Sequence, residues 1–86
     1  MPILTLRQPL KRLAGGESEH RVDAVIVVEA LRELERTHAG LEGWILDERG
    51  ALRRHINVYV NGEPGAEDSP VGPDDRIDVL PAISGG

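Results

Sequence analysis

One stretch of the chain repeats apolar residues with a helical period, and it does so on one side only. Val25, Val28, Leu31 and Leu34 recur at i, i+3, i+6 and i+9, with Ala24, Val27 and Ala30 widening the stripe. Glu29, Arg32, Glu33 and Arg36 occupy the other side. Asp23 stands where a helix N-cap is expected, and Gly40 where a C-terminal stop is expected. A helix with one apolar stripe must bury it against something else. The remaining apolar segments are short and alternating, so the partner is a sheet.

Those segments supply the strands. In Ile3-Leu4-Thr5-Leu6, Leu4 and Leu6 share one face. Pro9 and Ala14-Gly15-Gly16 make residues 9–16 a loop, with Gly15-Gly16 a turn of positive φ, and Glu17 to Val22 returns as a second strand. Ile56-Asn57-Val58-Tyr59-Val60 is the clearest strand, with Ile56, Val58 and Val60 inward and Asn57 and Tyr59 outward. Asn61-Gly62 follows it, a strong hairpin signal. Pro64 and Gly65 shorten the returning strand, and Val71-Gly72-Pro73-Asp74-Asp75 is a turn. Arg76 to Leu80 is the last strand, with Ile77 and Val79 inward, and Pro81 ends it. Between helix and strand, Leu41, Trp44, Ile45 and Leu46 are expected to pack on the sheet, Trp44 as a lid on the core rather than a platform for ligand stacking. The order β β α β (β) β predicts an α+β fold: a β-grasp roll with a mixed four- or five-stranded sheet and the helix on one face. Residues 1–80 form the domain and residues 81–86 an arm.

Eighty-six residues make one domain with a modest core. With one Trp, one Tyr and no Phe, aliphatic side chains must fill it. No apolar run approaches the roughly 20 residues of a membrane span. Met1-Pro2-Ile3-Leu4 does not read as a signal peptide, and the absence of cysteine makes a cytoplasmic location the expectation. The formal net charge of −5 argues against nucleic acid as a partner and suits docking on a basic protein surface. Arg53-Arg54-His55 reads as a solvated basic cluster.

Sites of the usual kinds are missing. His20, His38 and His55 are isolated in sequence and not spaced as metal ligands. Ser18, Ser69 and Ser84 lie outside any nucleophile elbow, Gly40-Leu41-Glu42-Gly43 is not a phosphate loop, and Asp74-Asp75 reads as an acidic turn. What remains is the end of the sequence. Pro81-Ala82-Ile83-Ser84-Gly85-Gly86 has neither helical nor alternating pattern, and extended it reaches roughly 20 Å. A carboxylate on Gly86, behind residues almost without side chains, can be threaded through a narrow channel into another protein's active site. Leu80 and Tyr59 point outward beside this arm, a candidate docking patch.

Three features together resemble a known family: the strand Asn57-Val58-Tyr59-Val60-Asn61-Gly62-Glu63, the turn Gly72-Pro73-Asp74-Asp75, and the ending Leu80-Pro81-Ala82-Ile83-Ser84-Gly85-Gly86. They are similar to the ubiquitin-like bacterial sulfur carrier proteins, which include the small subunit of molybdopterin synthase, the thiamin sulfur carrier and the carrier of the thiocarboxylate route to cysteine. Val79-Leu80-Pro81-Ala82 stands closest to the cysteine-route carriers. The resemblance implies a protein co-substrate rather than an enzyme, with no cofactor of its own. Gly86 would be adenylated with ATP and Mg by a ubiquitin-activating-type adenylyltransferase/sulfurtransferase and converted to a thiocarboxylate. Pro81, Ala82, Ile83, Ser84, Gly85, Leu80 and Tyr59 would meet the partners. Those are the activating enzyme, a sulfur-accepting synthase and a metalloprotease that processes the C-terminus. The competing expectations are a ubiquitin-like modifier conjugated through Gly86 and a molybdopterin synthase subunit.

Overall fold

The structure is a computed structural model and describes residues 1–81. The strands are β1 (Ile3–Leu6), β2 (Glu19–Arg21), β3 (Ile56–Val60), β4 (Glu63–Pro64) and β5 (Arg76–Pro81). The helices are α1 (Leu10–Leu13) and α2 (Val27–Thr37), followed by a 3-10 turn at Ala39–Leu41. The strands form one five-stranded sheet in the order β2-β1-β5-β3-β4. β1 and β5 run parallel, with Leu4 opposite Ile77 and Leu6 opposite Val79. The other pairings are antiparallel, including β3 with β5, where Ile56 meets Pro81 and Val58 meets Val79. This is the mixed β-grasp sheet expected, with α2 covering one face. Parallel neighbours cannot be joined by a tight turn. The whole chain from Arg7 to Asp75 is therefore the connection between β1 and β5, and it carries α2.

The inner face follows the alternation. Leu4, Leu6, Ile56, Val58, Ile77 and Val79 are buried, and Val60 is partly buried against them. α2 lays Val27, Ala30, Leu31 and Leu34 on this layer. All four belong to the expected stripe, and Ala24 and Val28 pack partly buried beside them, but its centre is shifted and Val25 falls outside it. Three residues turn a helix through about 300°, so an i, i+3, i+6, i+9 series drifts by about 60° per step. Val25 and Leu34 would then face opposite ways. The i, i+3, i+4, i+7 set starting at Val27 stays on one side. Val25 lies before the helix and is 66% exposed.

Asp23 does not cap α2 either. The chain stays extended through Ile26 (φ −137°, ψ 158°), which bridges to Pro70. The first-turn N–H groups of Val27 and Val28 donate to the carbonyls of Ser69 (3.0 Å) and Glu67 (2.9 Å). A distant loop therefore satisfies the donors that a side chain would otherwise cap. Gly40 is also used differently. It does not stop the helix with a positive φ; it sits in the 3-10 turn, where a Cβ would fall 2.6 Å from the carbonyl oxygen of Leu13. Gly40 is required by close approach to α1.

Residues 9–16 are not merely a loop. α1 buries Leu10, and Ala14 follows it into the core, before Gly15 (φ 79°) and Gly16 (φ 86°) turn the chain as expected. Leu41, Ile45 and Leu46 are buried, but Trp44 is 48% exposed and covers no core. The Glu35 carboxylate organises this segment, accepting N–H bonds from Ile45 (3.0 Å), Leu46 (2.8 Å) and, longer, Gly43 (3.4 Å). Anchoring the backbone at Gly43, Ile45 and Leu46 turns the intervening Trp44 side chain outward. His20 and His38, far apart in sequence, meet edge to face at 4.8 Å between ring centroids. His20 is buried on β2, its Nε2 2.8 Å from the Glu17 carbonyl.

Candidate functional site

The outer face of the sheet carries the residues that alternation turned away from α2. Register sets their neighbours. Thr5 and Tyr59 flank Asp78 on either side, Asn57 lies opposite Leu80, and Pro64 lies opposite Tyr59. Tyr59 and Leu80 are thus diagonal neighbours on one face, a spacing of about 7–8 Å that an aromatic ring can bridge. The expected docking pair is brought together, and both residues are half-buried rather than protruding. Arg76 lies across the same face, its guanidinium 3.5 Å from Thr5 Oγ1 and 3.5 Å from the Glu19 carboxylate. The face is a shallow mixed surface with an apolar spot at its β3–β5 end.

Pro81 was expected to begin the arm; it is instead the last residue of β5, opposite Ile56. The pairing explains why a proline fits there. β1 ends at Leu6 opposite Val79, so β5 is paired only with β3 from Leu80 onward. Proline lacks an N–H and is accepted at such a half-open strand end. Ala82, Ile83, Ser84, Gly85 and Gly86, the other expected arm residues, lie outside the described residues.

The turn that feeds β5 is fixed by a polar lock. Asp75 accepts the Gly72 backbone N–H at 2.7 Å and the Asn61 side-chain N–H at 2.9 Å, and Asn61 Oδ1 accepts the Arg76 N–H at 2.9 Å. The bond from Gly72, then that from Asn61, holds the Asp75 carboxyl below the usual carboxylate range. Asn61 (φ 52°) and Gly62 (φ 86°) are both left-handed, as the hairpin signal requires. Asp74-Asp75 is therefore a structural turn, as expected.

A groove elsewhere on the surface holds no comparable chemistry. It is a groove of about 650 Å³ bordered by Glu35, Glu42, Leu46, Asp47, Glu48 and Arg53. Two of its carboxylates are engaged by backbone. Glu35 holds Ile45 and Leu46, and Asp47 accepts N–H bonds from Ala51 (3.0 Å) and Arg49 (2.9 Å), which lower its pKa in that order. Arg53 donates from Nε to the Gly43 carbonyl. Among the described residues, no three His, Cys, Asp or Glu side chains are grouped as metal ligands, and no helix is long and apolar enough to cross a membrane.

One arrangement escaped the sequence reading. Arg7 follows β1, Arg54 and His55 precede β3, and strand order brings both segments to the end of the sheet where β5 finishes. No spacing rule links residue 7 to residue 54, and only the parallel β1–β5 pairing reveals it.

Comparison with known proteins agrees with this architecture. The ThiS family profile matches residues 4–86. Small archaeal modifier protein 1 of Haloferax volcanii is 35% identical over 80 residues, spanning 90% of this chain and 91% of that protein. Its crystal structure superposes with a TM-score of 0.88 at 33% identity, covering 99% of this chain and 98% of that one. The sulfur carrier protein CysO of Mycobacterium tuberculosis is 26% identical over 83 residues, spanning 90% of this chain and 89% of that protein. A chain in the crystal structure of the Amycolatopsis orientalis BexX/CysO complex superposes with a TM-score of 0.87 at 31% identity, with both chains fully covered. The chain belongs to the ThiS family, among the ubiquitin-like β-grasp carriers and modifiers.

Proposed function

We propose that this protein is a sulfur carrier and that its reactive group is the Gly86 carboxylate. The observation that carries the reading is the likeness to a chain of the BexX/CysO complex, together with a family profile that matches the sequence through Gly86. The composition supports it: with no cysteine, any sulfur the chain carries must sit on the terminus. A carboxylate resists sulfur attack because its leaving group would be oxide or hydroxide. Transfer of AMP from ATP, with release of pyrophosphate, makes it an acyl-adenylate. Attack by hydrosulfide, or by a persulfide followed by thiol reduction, expels AMP and leaves a thiocarboxylate. In this reading the chain is a co-substrate. The body docks through the Leu80–Tyr59 face, and the residues after Pro81 enter the partner's active site.

A second reading, conjugation of Gly86 to amines of other proteins, is favoured by the likeness to small archaeal modifier protein 1. Both readings share the adenylate and part at the nucleophile, sulfur or nitrogen. Intact-mass analysis of protein from its native host separates them. One sulfur-for-oxygen exchange supports the carrier, and ladders of higher-mass conjugates support the modifier. Removing Gly85-Gly86 is expected to abolish adenylation while changing stability by less than about 0.5 kcal/mol. An unfolded truncated protein would overturn the division into body and arm.

A further inference from the structure

The connecting segments at the two ends of the sheet differ in charge, although Arg21 and Arg76 stand at the strand ends beside the acidic ones and Glu42, Asp47 and Glu48 share a groove with Arg53. At one end, residues 61–75 join β3, β4 and β5 and contain Glu63, Glu67, Asp68, Asp74 and Asp75 without a single Lys or Arg. At the other end, two segments flank the finish of β5. Residues 7–13 contribute Arg7, Lys11 and Arg12; residues 51–55 contribute Arg53, Arg54 and His55; neither contains a carboxylate. Half of the ten Lys and Arg residues of an acidic chain thus sit in these two short stretches. The parallel register places Arg7 one residue beyond the Leu6–Val79 pair, and the antiparallel register places His55 one residue before the Ile56–Pro81 pair. The chain leaves Pro81 between them.

These cations are available. The ion pairs among the described residues are Glu33–Arg36, Asp47–Arg49 and Glu19–Arg76. Arg7, Lys11, Arg12 and Arg54 belong to none of them. Arg7, Arg12, Arg54 and His55 are exposed and Lys11 is half-buried. Glu17, in the turn after α1, is the nearest carboxylate in sequence to residues 7–13, and Glu48 is the nearest to residues 51–55, where Asp47 and Glu48 border a groove with Arg53.

We propose that Arg7, Lys11, Arg12, Arg54 and His55 form a basic collar that seats on a carboxylate-lined rim of the enzyme that activates Gly86. The inference rests on the carrier reading and adds to it the chemistry of the partner surface. Its geometry follows from chain length: five residues after Pro81 span at most about 18 Å. A terminus inserted that far brings the collar to the mouth of the cleft. The exposed cations around the finish of β5 are drawn toward an acidic mouth, so the collar leads during approach. A protein rim fits better than nucleic acid, because the chain carries a net charge of −5 and its far end is acidic.

Two measurements test this. In the first, the ¹⁵N-labelled protein is titrated with a synthetic octaglutamate peptide at low salt, with tripolyphosphate and a short DNA duplex in parallel. Saturable shifts confined to residues 7–13 and 53–55, lost in Arg7→Glu/Arg54→Glu, support the collar. Shifts elsewhere, no saturation, or a response to the phosphate ligands alone overturn it. In the second, adenylation by the cognate activating enzyme is followed against salt. Arg7→Glu/Arg54→Glu is expected to lower kcat/KM about tenfold at low salt, with the gap closing at high salt as charges are screened. Glu67→Lys/Asp68→Lys, at the far end, is expected to leave it unchanged or raise it. Equal kcat/KM for wild type and the Arg7/Arg54 variant overturns the collar while leaving the carrier reading standing. Wild-type protein that no activating enzyme adenylates overturns the carrier reading, and the peptide titration then decides the collar alone.

Discussion

The two faces of the sheet come from the same strands one residue out of phase, and they have opposite tolerances. On the inner face Leu4, Ile77 and Val79 are fully buried against Leu31 and Leu34 of α2, so each methyl group has neighbours on all sides. On the outer face Thr5, Asp78, Tyr59 and Leu80 are half-buried with water on one side. The inner face can change little without loss of packing, whereas the outer face can be rewritten for a partner at small cost to the fold. In the proposed carrier role this separation leaves the surface that enzymes read free to vary while the body stays folded.

The sharpest way to break the comparison is to shorten one residue on each face. Leu31→Ala is expected to cost about 3 kcal/mol, transfer plus cavity, in a urea titration. Leu80→Ala is expected to cost about 1 kcal/mol or less, because part of its surface is already wet. Equal losses would mean that the outer face is also core. Between these lies Gly40→Ala, expected to cost about 2 kcal/mol by forcing α1 away from the 3-10 turn. An unchanged urea midpoint would show that the α1 contact gives way freely. Leu80→Glu sharpens the functional side: activating-enzyme binding is expected to weaken about tenfold by calorimetry with the circular dichroism spectrum unchanged. Unaltered affinity would remove Leu80 from the interface.

A smaller effect is confined to acid. Asp75 and Asp47 titrate below the ordinary carboxylate range when folded, through the bonds they accept from backbone and, for Asp75, from Asn61. Their contribution is complete above the unfolded carboxylate pKa, about 3.9 for Asp, and is lost as pH falls through the lower folded value. Urea midpoints are expected to hold from neutral pH down to about pH 4 and fall below it, with a shallower fall in Asp75→Asn. Identical acid limbs would remove the Asp75 lock from the stability of the β5 turn. Smallest of all, Trp44→Ala is expected to change stability by less than about 0.5 kcal/mol, and a larger loss would restore Trp44 to the core.

Alternation and turn chemistry were enough to read β1, β3, β5 and their inner residues, because a period of two and an Asn-Gly pair act within a few residues. The pairing of Leu80 with Tyr59 on one face was legible for the same reason. The start of α2 was not, because the carbonyls that satisfy it belong to Ser69 and Glu67, some forty residues away. The use of Gly40 was equally hidden. Its constraint is the Leu13 carbonyl, which touches it only after α1 and the 3-10 turn pack together. Trp44 departs from its expected place because size and hydrophobicity alone point to burial, while the Glu35 carboxylate fixes the backbone so that the indole faces out. Local signals carried the strands; whatever depended on two distant segments meeting did not show until the chain was folded.

The parallel pairing of β1 with β5 has a mechanical consequence. Its first and last strands lie side by side, joined from Ile3–Arg76 to Leu6–Val79. Tension between Met1 and Pro81 slides these strands past each other, so their hydrogen bonds bear the load together instead of parting one after another. Forced unfolding is governed by the unfolding barrier rather than by the equilibrium stability. In the proposed carrier role, a body built this way is suited to stay folded while a partner draws its terminus into a cleft, and it would resist being pulled apart from that end by a machine that grips the same terminus.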